Sequence, residues 1–169
     1  LFSVLILAGC STKGKEVLFE KVEDAILAAK QSQKQLMEYH AAGTGVINLG
    51  TTGVNVTGTS TVGGTSTGQI TLGNTTLATG TTLTVGVGAA TPITLGTVNG
   101  SAGTPNLTIN TTSTVSVGAV GSTIGTVTVT QSGGTTFSST VSAATVTLTA
   151  TTGTITFSGA LTATTLNTA

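Results

Sequence analysis

From Ala41 to Ala169 the chain contains no Lys, Arg, Asp, Glu or His. All five of its cationic and all five of its acidic side chains lie between Lys13 and Glu38. A segment without charge has no salt bridges to hold it and no charged side chains to guard a sheet edge. It must rest on backbone hydrogen bonding and apolar packing. Polar low-complexity sequence is ordinarily disordered, but here the Thr and Ser residues are interleaved with regularly placed Val, Ile and Leu. With 24 Gly and no Trp, the pattern predicts many short strands separated by tight turns.

The same absence excludes whole classes of function. Nucleic acid and anionic surfaces are recognised through clustered Lys and Arg, and none follows Lys34. Polysaccharide cleavage needs paired carboxylates, and nothing after Glu38 supplies one. Ser and Thr nucleophiles need a base within reach. The one imidazole, His40, sits beside Tyr39 at the end of a predicted helix and reads as a packing residue. Calcium-binding repeats require spaced Asp, and the Gly63-Gly64 and Gly133-Gly134 turns lack the Lys of a phosphate loop. The sequence therefore predicts a non-enzymatic protein with no catalytic residue, metal ligand or cofactor site.

Along the chain, three segments are expected: 1–12, 13–42 and 43–169. The first is an apolar run, Leu1 to Gly9, too short to span a bilayer and ending at Cys10, the single cysteine. Residues 13–42 carry the charge and an apolar stripe at alternating intervals of three and four, which predicts an amphipathic helix stopped by Gly43 and Gly45. Phe19, Val22, Ile26, Ala29 and Leu36 form that stripe and are the candidate assembly residues, through self-association or packing on the module that follows.

Residues 43–169 alternate apolar, hydroxyl, apolar: Ile70-Thr-Leu72, Leu83-Thr-Val85, Ile93-Thr-Leu95, Leu107-Thr-Ile109, Val115-Ser-Val117, Val127-Thr-Val129, Val146-Thr-Leu148 and Ile155-Thr-Phe157. Such alternation places aliphatics on one face of a strand and hydroxyls on the other. Thr136 to Val146 repeats as Thr156 to Leu166, aligning Phe137 with Phe157 and Val141 with Leu161. Ile70, Ile93 and Val115 recur at a slightly longer spacing. An elastic repeat of this length predicts a right-handed parallel β-solenoid behind a short N-terminal helix, with an antiparallel β-sandwich as the alternative.

At Leu7-Ala8-Gly9-Cys10 the sequence resembles the lipobox of bacterial lipoproteins, which implies a truncated signal segment and makes Cys10 a lipidation candidate. Residues 44–169 resemble the β-strand repeats of bacterial surface proteins, the filamentous-haemagglutinin-like adhesins. That resemblance implies an extracellular or cell-surface structural protein, which the lipobox resemblance would tether to an outer membrane: a filament subunit or adhesin stalk that self-associates and meets a host or environmental surface. Asn55, Asn74, Asn99, Asn106 and Asn110 each open an Asn-x-Ser/Thr triplet and are glycosylation candidates. Two alternatives come from other classes, a phage or secretion fibre and an ice-binding solenoid. The latter follows from Thr126-x-Thr128-x-Thr130 and Thr145-x-Thr147-x-Thr149, although the elastic period is expected to break such rows from coil to coil. Pro92 and Pro105 are the only edge guards in the β-segment, so its ends are expected to stack.

Overall fold

A computed structural model describes residues 45–50 and 53–168 of the chain. The candidate lipobox at Cys10, the predicted helix with Phe19, Val22, Ile26, Ala29 and Leu36, and His40 lie outside the described residues.

Every strand pairing among the described residues is parallel and joins one coil to the next. The chain is an all-β parallel solenoid. The antiparallel sandwich is ruled out, because segments 19 to 24 residues apart lie side by side in the same direction. That spacing leaves room for a whole coil, whereas an antiparallel neighbour needs only a hairpin.

Each coil has three strand positions. The first face stacks β1 (Ile47–Leu49), β4 (Ile70–Leu72), β7 (Ile93–Leu95), β10 (Thr114–Val117), β12 (Gly134–Phe137) and β14 (Ile155–Phe157). The second begins with β2 (Val54–Val56), β5 (Thr75–Leu77) and β8 (Val98–Gly100). The third begins with β3 (Ser60–Val62), β6 (Thr82–Val85) and β9 (Asn106–Asn110). In the last three coils the second and third positions merge into single strands, β11 (Val120–Ser132), β13 (Val141–Thr151) and β15 (Leu161–Thr168). The expectation of short strands throughout is corrected there: β11 runs for 13 residues and β13 for 11.

The repeat seen in the sequence is the coil. Phe137 pairs with Phe157 and Val141 with Leu161, and Ile70, Ile93 and Val115 stack in one column. Coil length shortens from 23 residues (Ile47 to Ile70) to 20 (Thr135 to Ile155). Much of that elasticity falls in the connection between the second and third faces, which is where the later strands become continuous. In β11 it shows as a register shift between Val120 and Ile124. Within the third face, β11 shifts once more against β9, between Val129 and Gln131, beyond the positions of the outward columns.

Inward aliphatics form one core through the coils, from Ile47 and Val54 to Val146 and Leu148. Phe137 is fully buried and stacks on Phe157, with ring centroids 4.9 Å apart and planes within 4°. Gly is required where coils touch backbone to backbone. At Gly86, φ is +83° and an added Cβ would lie 2.2 Å from the Asn110 carbonyl oxygen; at Gly153 it would lie 2.0 Å from that of Gly133.

Not all hydroxyls face outward, as simple alternation predicts. Ser66, Thr91, Thr111, Ser132 and Thr135 are buried. Ser66 donates to the Gly45 carbonyl at 2.7 Å, Thr91 donates to the Ser66 carbonyl, and Thr111 donates to the Thr91 carbonyl at 2.6 Å. Each link joins one coil to the one before it, so a hydroxyl spine runs where the third face turns into the next coil. It satisfies carbonyls that the tight turn removes from the ladders.

Candidate functional site

The described residues offer their side chains to solvent on three ladders. On the first face Asn48, Thr71, Thr94, Ser116, Thr136 and Thr156 stack in a single column. The second face is mixed: Asn55, Thr76 and Asn99 align, but Gly121 follows, and an added Cβ there would lie 2.1 Å from the Asn99 side-chain oxygen.

The third face is the most regular. Thr61, Thr84, Thr108, Thr128, Thr147 and Asn167 stack in register through all six coils. A second column, Thr82, Asn106, Thr126, Thr145 and Thr165, runs beside it. The two are separated by one inward residue, so they lie two residues apart along each strand. The elastic period does not break these rows, because extra residues are accommodated between faces; that expectation is corrected. Among the described residues, the hydroxyls of Thr61, Thr84, Thr108 and Thr128 make no hydrogen bond within the protein. Lateral neighbours half-bury most of these side chains, leaving an even surface.

Of the glycosylation candidates, Asn55, Asn74 and Asn99 are exposed, while Asn106 and Asn110 are half-buried. Two of them bond across coils: the Asn74 side-chain oxygen accepts the Thr97 N–H at 3.1 Å, and that of Asn106 accepts the Thr126 N–H at 3.0 Å. The Asn110 side-chain oxygen is enclosed without a partner. These bridging roles were missed in the sequence, where these Asn residues read only as glycan acceptors.

A shallow groove of about 340 Å³ follows the bend between the second and third faces and is lined by small residues such as Thr104, Ser122, Ala144 and Thr164. Among the described residues no cluster of His, Cys, Asp or Glu could hold a metal ion, and no helix is long and apolar enough to cross a membrane.

The two ends differ. Ile47, Val54, Val56 and Val62 of the first coil are buried to 5% exposure or less. In the last coil Leu166 is 51% exposed, and Ile155, Phe157 and Leu161 are only partly covered. β15 pairs with β13 alone, so one edge of that strand is unpaired. Compared with models of known families, with curated proteins and with solved structures, the chain matches none. What fold and surface define is a class: a repetitive, uncharged parallel β-solenoid scaffold.

Proposed function

We propose that this protein is a non-enzymatic structural element of an extracellular or cell-surface assembly, a filament subunit or adhesin stalk, that self-associates through unprotected β edges. The observation that carries the reading is that the stacked parallel ladders contain no charged side chain, and among the described residues only Pro92 and Pro105 could interrupt pairing at a strand edge. A strand added at such an edge would extend the backbone ladder and the apolar core together. The solenoid is suited to such a role because every coil reinforces its neighbours, and stability grows with the number stacked. A lipid on Cys10 would tether the rod at its N-terminal end.

Electron microscopy and sedimentation of the full chain test this reading, with Leu166→Lys as the comparison. The native chain is expected to form elongated assemblies, and the Lys variant, placing a charge on the edge, to remain monomeric. A monodisperse native chain would overturn assembly through the edge.

A further inference from the structure

We propose that the third face is a binding surface for ice, a function separate from assembly at the coil edge. Parallel neighbours lie about 4.8 Å apart, and residues two apart along a strand are separated by about 6.7 Å. The two columns, Thr61 to Asn167 and Thr82 to Thr165, therefore form a near-rectangular net of side-chain tips at those two spacings. This is close to the repeat of oxygen positions on the prism face of hexagonal ice. The net is rigid, since β-branched Thr has restricted rotation about its first side-chain torsion and each Thr is held between its neighbours.

The chemistry of the tips agrees with the spacing. Each Thr offers a methyl and a hydroxyl, and in Thr61, Thr84, Thr108 and Thr128 the hydroxyl is not used by the protein. Ordered water can thus accept and donate to the hydroxyls while packing against the methyls. Charge matches too: ice is a neutral lattice that excludes ions, and a charged side chain would keep a hydration shell that the lattice cannot supply. No charged residue occurs anywhere in the described chain, so none interrupts the face.

The alternative periodic ligand, a crystalline polysaccharide, is less well served, because the third face carries no aromatic ring for sugars to stack on. The other two faces are weaker candidates. The first has one column, and the second is interrupted at Gly121.

The test measures freezing hysteresis and inhibition of ice recrystallisation with the full chain. Thr128→Lys and Thr84→Lys probe the third face, and Thr136→Lys, an equally outward position on the first face, is the control. Circular dichroism confirms that each variant is folded; having two probe positions leaves the test intact if one of them fails to fold. The proposal predicts hysteresis in the native chain, at least a twofold loss in the third-face variants, and no loss in the control. Absence of hysteresis in the folded chain overturns it, as does an equal loss in all three variants. Retention on crystalline chitin or cellulose without any effect on ice would also overturn it and assign the face to a polymer.

Discussion

Replacing Thr111 by Val removes one hydroxyl from the interior spine with almost no change of shape. That hydroxyl is fully buried; it shares its one proton between the carbonyls of Thr91, at 2.6 Å, and Ala89, at 3.0 Å, and accepts the Ser113 N–H at 3.0 Å. The Ala89 carbonyl keeps backbone partners in Thr91 and Thr112. The Thr91 carbonyl and Ser113 N–H lose the bonds the spine gave them. Leaving a buried polar group unsatisfied costs about 1 to 3 kcal/mol, so Thr111→Val is expected to cost about 2 to 4 kcal/mol. With a urea slope of about 2 kcal/mol/M, the midpoint should fall by about 1 to 2 M.

The control is the same chemical change on the outside. The Thr128 hydroxyl has no partner in the protein, and Val suits a strand as well as Thr does. Thr128→Val should therefore shift stability by no more than about 0.5 kcal/mol. Urea unfolding of the full chain followed by circular dichroism compares the two, with unchanged slope as the check that the unfolded reference is the same. Equal shifts in the two variants would refute the inside–outside assignment of the hydroxyls.

Other perturbations follow from single residues. Phe137→Ala empties a fully buried site and removes the stack on Phe157, which should cost about 3 to 5 kcal/mol in the same unfolding assay. Gly153→Ala places a methyl 2.0 Å from the Gly133 carbonyl oxygen and should destabilise the last coils by about 1 to 3 kcal/mol, seen as hydrogen-exchange protection lost from β14 and β15 before β7. No side chain between residues 45 and 168 titrates, so the solenoid binds the same number of side-chain protons folded and unfolded. Its unfolding midpoint should stay flat from about pH 4 to about pH 9, whereas a slope would expose linkage to the charged segment.

The legible part of the fold was the part in which alternation and chemistry coincide. Ile70-Thr-Leu72 and Val127-Thr-Val129 announce their strands because both inward positions are aliphatic and the outward one is Thr. β5 and β8 did not stand out: Thr75 is inward and buried, and Val98-Asn-Gly100 ends in Gly. The inward hydroxyls were illegible for the same reason, since a Thr that bonds a carbonyl of the preceding coil looks like any other Thr in a chain rich in them. The third-face rows were visible as Thr126-x-Thr128 and Thr145-x-Thr147, but their continuity was not. Sequence spacing sums over strands and corners, and only the pairing register separates a coil that lengthens at its corner from one that slips on its face.

The solenoid rests on coils stacked in register, and distances between spin labels measure that stacking directly. In a chain with Cys10 replaced by Ser, one label is fixed at Thr61 and the second is placed in turn at Thr128, Thr147 and Asn167, which occupy the same column three, four and five coils away. With about 4.8 Å per coil, the separations should rise in equal steps to about 14, 19 and 24 Å, less regular only by the reach of the labels. Distances that fail to increase with coil number, or that alternate, would contradict the solenoid and the ladders built on it.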